Sequence, residues 1–125
     1  MTPKEINELI GQKVMGWTLR RSKNPRYDWY VNAEGNHAGL VRNFNPAGPY
    51  GDRIADCFRA FDRLIKMGYR NFQLIHVCCV DGFAWDAEIM GPWGNYLADK
   101  THYGGAGATR EEAICSMIVK ILEAP

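Results

Sequence analysis

The stretch KTHYGGAGATREEAICSMIVKIL, residues 100 to 122, sets three glycines, Gly104, Gly105 and Gly107, directly before a well-signalled helix. Backbone N–H groups point outward at a helix N-terminus and the helix dipole favours negative charge there, so a glycine loop in that place is able to cradle an anion. The same residues also suit a plain flexible connection. Thr109, with Glu112 three residues on, fits a capping box, which explains the helix start without a ligand. A second loop, residues 43 to 52, is dense in Asn, Pro and Gly and runs into another helix start, with Arg53 in its first turn as Arg110 is in the other. Two sets of open N–H groups and two guanidinium forks, brought to one end of a sheet, suit phosphates. Tyr50, Trp93, Tyr96 and Tyr103 supply rings able to stack on a base.

The expected ligand-binding set is therefore Asn45, Tyr50, Arg53, Trp93, Tyr103, Gly105, Thr109 and Arg110. In this arrangement Gly104 to Thr109 forms one wall of an anion pocket and Asn45 to Arg53 the other, with Trp93 or Tyr103 against the base. An alternative stays open: the aromatic rings fold down over the core and the arginines pair with acids such as Asp52 or Glu111.

Catalytic chemistry has less to draw on. His37, His76 and His102 are scattered, and no zinc-protease, nucleophile-elbow, P-loop or dinucleotide-binding pattern occurs. His76 shares a strand face with Phe72, Leu74 and Cys78, which suits a core or edge histidine. Asp86 and Glu88 share another face, and the solvated side of a hairpin accounts for both. Cys57, Cys78, Cys79 and Cys115 show no C-x-x-C spacing, so neither a zinc site nor any other metal or cofactor is expected, and the cysteines read as small core residues. RRSKNPR gathers Arg20, Arg21, Lys23 and Arg26 beside Tyr27, Trp29 and Tyr30. Such a run can touch phosphates, but a solvated turn explains it as well.

At 125 residues, 46% apolar and 23% charged, the chain has the size and composition of one folded domain, residues 1 to 125. A formal charge of +1 argues against a surface that grips nucleic acid throughout. The sequence offers no apolar run of membrane-spanning length, and MTPKEINELI lacks the form of a signal peptide, so a cytoplasmic protein without a membrane partner is expected.

The elements that must position these groups follow from periodicity. Thr2, Pro3 and Glu5 open a short helix carrying Ile6, Leu9 and Ile10, which ends between Gly11 and Val14. KVMGWTLRR reads as a strand interrupted by Gly16, and RYDWYV, NAEGN and HAGLVR as a hairpin. A second helix starts near Asp52, with Ile54, Cys57, Phe58, Phe61, Leu64 and Ile65 as its apolar stripe and Gly68 as its cap. RNFQLIHVCCV and FAWDAEIM pair across Asp81-Gly82, and a long connection leads to a last helix striped by Ala113, Ile114, Met117, Ile118, Ile121 and Leu122. The sum is an α+β sandwich, an antiparallel or mixed β-sheet packed with three amphipathic helices. Sheet edges and the rings of Trp17, Trp29 and Tyr30 predict a homo-oligomer, most simply a dimer.

Met15-Gly16-Trp17, Asn45-Pro46, Trp85-Asp86-Ala87 and Ala113-Ile114-Cys115, taken in order along nearly the whole chain, resemble the phage ABA sandwich domain family and the small NinX-like proteins of lambdoid phages. The chain departs from that pattern in the insert around GPWGNYLADKTHYGG. The resemblance implies a phage or prophage origin and an α/β sandwich, with no catalytic residues to carry over. Since phages also encode small proteins that sequester the nucleotide signals of bacterial immunity, an anionic nucleotide is the expected small-molecule partner. A nucleic-acid-binding accessory protein and a small nucleotide-processing enzyme are the alternatives.

Overall fold

The computed structural model describes residues 1–77, 84–92 and 102–124. Among them the chain forms three helices and two antiparallel three-stranded sheets, the α+β class expected from periodicity. It divides into two compact units, Met1–Ala60 and Phe61–Pro125.

In the first unit, helix α1 (Pro3–Lys13) starts as its sequence dictates: the Thr2 side chain accepts from the Glu5 N–H, and proline occupies the first turn. Its end accounts for a difference from the sequence reading. The N–H groups of Val14 and Met15 both bond the Ile10 carbonyl, that of Trp17 bonds Gly11, and Gly16 takes a φ of 74° that favours glycine. Residues 13 to 17 are thus used to leave the helix, and strand β1 is only Thr18–Arg20. It pairs with β2 (Trp29–Val31), which pairs with β3 (His37–Leu40). The expected hairpin turn is closed by Asn32, whose side-chain oxygen accepts from the N–H groups of Glu34 and Asn36.

Tyr30, Ile10, Val14 and Phe44 are buried in this unit. Of the three rings expected to favour association, Trp29 is half-buried and the other two pack within this unit. Tyr30 is fully buried, and Trp17 packs with its ring centroid 5.0 Å from Tyr30 and 5.1 Å from Phe44. Gly11 makes room for the phenol, since a Cβ there would lie 2.8 Å from the Tyr30 oxygen. That oxygen has no hydrogen-bond partner. Burial first, and the Glu8 carboxylate second, push the Tyr30 phenol up to about 12. A folded-state value above the unfolded value of about 10 stabilises the fold fully below about pH 10, and that contribution is lost as pH rises through the folded value. Denaturant unfolding measured between pH 9 and 12 should therefore show falling stability. Tyr30→Phe should keep the neutral-pH stability, because no hydrogen bond is removed, and should flatten the alkaline slope.

Helix α2 (Arg53–Lys66) contains the boundary between the units. Cys57, Ala60 and Leu64 are its buried apolar residues, whereas Phe58 and Ile65, expected in the same stripe, are 40% and 48% exposed. Each follows a buried residue by one position, about 100° round the helix, which takes it off a narrow contact face.

In the second unit, β4 (Arg70–His76), β5 (Trp85–Met90) and β6 (His102–Gly107) lie in that order. Ala87 and Ile89 are buried while Asp86 and Glu88 are partly exposed, the alternation expected of a half-buried strand. Helix α3 (Arg110–Glu123) covers the sheet with Ala113, Ile114, Met117, Ile118 and Ile121, all buried. Cys57 and Cys115 are buried thiols, while Cys78, Cys79 and the Asp81-Gly82 turn lie outside the described residues.

Strand β6 corrects the reading of residues 104 to 107 as a loop. A Cβ on Gly105 would run into the backbone of α3, against Met117 N and 2.7 Å from the Ala113 carbonyl oxygen; one on Gly107 would lie 2.9 Å from Ala113 N. The glycines let a helix backbone rest directly on a strand. Periodicity cannot signal this, because the strand has almost no side chains on which to alternate.

Candidate functional site

The expected site residues fall into both units. Asn45, Tyr50 and Arg53 belong to one loop of the first unit and the start of α2. Tyr103, Gly105, Thr109 and Arg110 belong to β6 and the start of α3, and Trp93 lies outside the described residues. Thr109 performs the capping role: its oxygen accepts from Glu112 N at 3.2 Å, and the Glu112 carboxylate accepts from Ala108 N at 2.9 Å. Arg110 is exposed. Tyr103 and Gly105 border an open depression whose other walls include Asp86, Glu88 and Lys120. Its carboxylates oppose an anion.

The loop of the first unit is built differently. Asn7, on α1, uses its whole side-chain amide on the loop: its oxygen accepts from Ala47 N at 2.7 Å and its nitrogen donates to the Gly48 carbonyl at 2.8 Å. From α2, the Asp56 carboxylate accepts from Asn45 N at 2.8 Å, and the Cys57 thiol donates to the Pro46 carbonyl. The Asn45 amide donates to the Arg42 carbonyl at 2.5 Å, and Gly48 N closes a turn onto the Asn45 carbonyl. Gly48, at a φ of 83°, leaves space for Arg53, whose Nε would otherwise sit 2.8 Å from a Cβ. Residues 45 to 48 are thus bolted to two helices, and this rigidity prepares a surface in advance of any ligand.

That surface is one side of a cavity of about 320 Å³. Helix α1 contributes Lys4, Asn7 and Glu8, which at spacings of three and four share one helical face. A 3-10 turn, Pro25–Tyr27, brings Arg26, and a second, Val41–Asn43, brings Arg42. The loop supplies Asn45, Gly48, Pro49 and Tyr50, whose ring is 75% exposed at the rim. The Arg42 guanidinium lies 5.6 Å from the centroid of the Tyr27 ring, which restrains it without neutralising it.

Three cations from three elements therefore meet here against two carboxylates. One of these is already committed: Asp28 accepts from Arg21 at 3.0 Å and from Ser22 N at 2.8 Å. The Ser22 N–H foremost, with Arg21 and Lys4 adding and burial opposing, holds the Asp28 carboxyl below the usual carboxylate range. Lys4, Arg26 and Arg42 outnumber Glu8 and Asp28 around a lining that is otherwise largely apolar. Its volume lies at the lower end of the range usual for small-molecule sites, about 300 to 1,000 Å³.

No family model and no curated protein matches the sequence. A structural comparison does find a neighbour. The fold is shared with a phage protein from Bacillus cereus ATCC 14579. The two superpose with a TM-score of 0.62 over 98% of this chain and 89% of the other, at 15% sequence identity. At that identity the likeness concerns the fold. Among the described residues, no helix is long and apolar enough to cross a membrane, and no group of three or more His, Cys, Asp or Glu is placed to hold a metal.

Lys4, Asn7, Glu8, Arg26 and Arg42 were absent from the binding set that sequence suggested. A faint signal existed for the first three, since polar residues at positions 4, 7 and 8 share one face of a helix. Arg26 stood in the basic run. Arg42 had no local signal, because only the turn that follows β3 carries it to the cavity.

Proposed function

We propose that the protein is a phage-encoded binding protein that sequesters an anionic nucleotide, a cyclic oligonucleotide or an ADP-ribose derivative, and so counters nucleotide-signalled bacterial immunity. The cavity of the first unit is the proposed site, and the observation that carries the reading is the meeting of Lys4, Arg26 and Arg42 around it. Phosphate oxygens pair with these cations, and the exposed ring of Tyr50 closes over a base. Of the residues that sequence suggested, Asn45, Tyr50 and Arg53 serve this site directly or by shaping its loop. Gly105 and Thr109 have structural parts in β6 and in the cap of α3. A phage setting is favoured by the shared fold, and the cytoplasm of an infected host is where such a ligand would be met.

Calorimetry with cyclic dinucleotides, cyclic trinucleotides and ADP-ribose derivatives tests the proposal. Arg42→Ala should weaken binding by about 1.5 kcal/mol or more, at least tenfold, with the melting temperature little changed. Recovery of intact ligand after denaturation separates sequestration from turnover. If duplex DNA binds instead, with affinity falling steeply as salt rises, the protein is a nucleic-acid accessory factor. A homo-oligomer belongs to the same proposal, with exposed Ile65, Met67 and Ile75 as surface for it. Sedimentation showing only monomer at micromolar concentration would remove that part.

A further inference from the structure

The polar side chains that line the cavity are not equally occupied. Asn7 spends both atoms of its amide on Ala47 and Gly48, and Asp28 spends both oxygens on Arg21 and Ser22. Glu8 differs. Its Oε1 is buried and accepts no hydrogen bond, and the nearest cation, Arg21 Nη1, stands 3.7 Å away, beyond hydrogen-bonding distance. A buried carboxylate oxygen without a donor is costly, so a donor brought by a ligand would relieve a penalty that the free protein carries. The torsion that turns a glutamate carboxylate is soft, so a small rotation presents this oxygen to the cavity that Glu8 lines.

We infer that Glu8 is a specificity-determining residue that accepts a hydrogen bond from a ribose hydroxyl, so that the site selects ribonucleotides with a free 2′-hydroxyl over deoxyribonucleotides and 2′-phosphorylated ones. This rests on the nucleotide reading of the same cavity. The chemistry requires a ligand of mixed character: phosphate for Lys4, Arg26 and Arg42, and close to it a neutral donor for the carboxylate. A ribose beside its own phosphate has that character. A phosphate on the 2′-oxygen would face Glu8 as a like charge, and a deoxyribose would leave Oε1 without a hydrogen-bond donor.

The test is calorimetry on the full chain with ADP and cyclic di-AMP, each against its 2′-deoxy counterpart, and with adenosine 2′,5′-bisphosphate. At least one ribonucleotide should bind tenfold or more tightly than its deoxy form, and the bisphosphate should bind more weakly than ADP. Glu8→Gln should shrink the ribo-to-deoxy ratio at least fivefold. Equal affinity of the wild-type protein for both members of each pair would overturn the role of Glu8 and leave the nucleotide site standing. Failure of all five compounds to bind would overturn the role of Glu8, and failure of cyclic trinucleotides and ADP-ribose derivatives as well would overturn the nucleotide site. The wild-type comparison needs no variant, so a folding defect in Glu8→Gln cannot shield the inference.

Discussion

Gly105→Ala should destabilise the protein by about 3 kcal/mol, the upper end of what an added methyl group costs in a filled interior. A methyl group on Gly105 has no side chain to push aside. It meets backbone atoms of α3, with the Ala113 carbonyl oxygen and the Ser116 carbonyl carbon each 2.7 Å away, so the helix as a whole must lift from β6. Lifting it would loosen the packing of Ile114, Met117 and Ile118, all fully buried. Gly104 is the internal control. Its added methyl group would find only ordinary contacts, 3.7 Å from the Ala87 carbonyl oxygen and 3.8 Å from the Glu88 side chain, so Gly104→Ala should change stability by no more than about 0.5 kcal/mol. Equilibrium urea unfolding of the two variants distinguishes close helix contact from a merely flexible glycine run, for which both would be mild.

Asn7→Leu should cost about 2 to 4 kcal/mol and should also weaken ligand binding. The substitution is close in size, so the loss is one of hydrogen bonding. Ala47 N and the Gly48 carbonyl each lose a partner at 2.7 and 2.8 Å, and leaving a buried and a half-buried backbone group unsatisfied costs about 1 to 2 kcal/mol apiece. The loop, still held by Asp56 and Cys57 on its other side, would lose its register against α1, moving Pro49 and Tyr50 relative to Lys4 and Glu8. Urea unfolding gives the stability, and calorimetry with the tightest nucleotide gives the binding. Unchanged affinity in a folded Asn7→Leu protein would show that the anchoring of this loop has no part in the site.

The sequence announced what is local. Thr2 with Glu5 and Thr109 with Glu112 act on backbone groups three residues away as their spacing predicted, and Asn32 closes the turn expected over residues 32 to 36. The last helix was legible for a related reason, since its stripe meets a broad sheet. What escaped was tertiary. Gly105 and Gly107 looked like a loop because the reason for a glycine there is the α3 backbone, five to twelve residues further on, and close approach of a helix backbone leaves no periodic pattern in the strand. Asn7 looked like an ordinary polar position on a short helix, but its partners lie 40 and 41 residues away. Arg42 and Glu8 line one cavity although 34 positions of sequence separate them. The loop of residues 43 to 52 was singled out for its composition, and its neighbours, rather than its own residues, make it the wall of a charged cavity.

The proposed nucleotide site is the cavity of the first unit. Backbone and side-chain chemical-shift mapping of the isotope-labelled protein, titrated with cyclic di-AMP and with ADP-ribose, tests it most directly. Saturable shifts should centre on Lys4, Glu8, Arg26, Arg42 and Tyr50, and Arg42→Ala should require at least tenfold more ligand for the same change. Absence of saturable shifts with both compounds, or shifts confined to Tyr103, Gly105 and Arg110, would contradict the account.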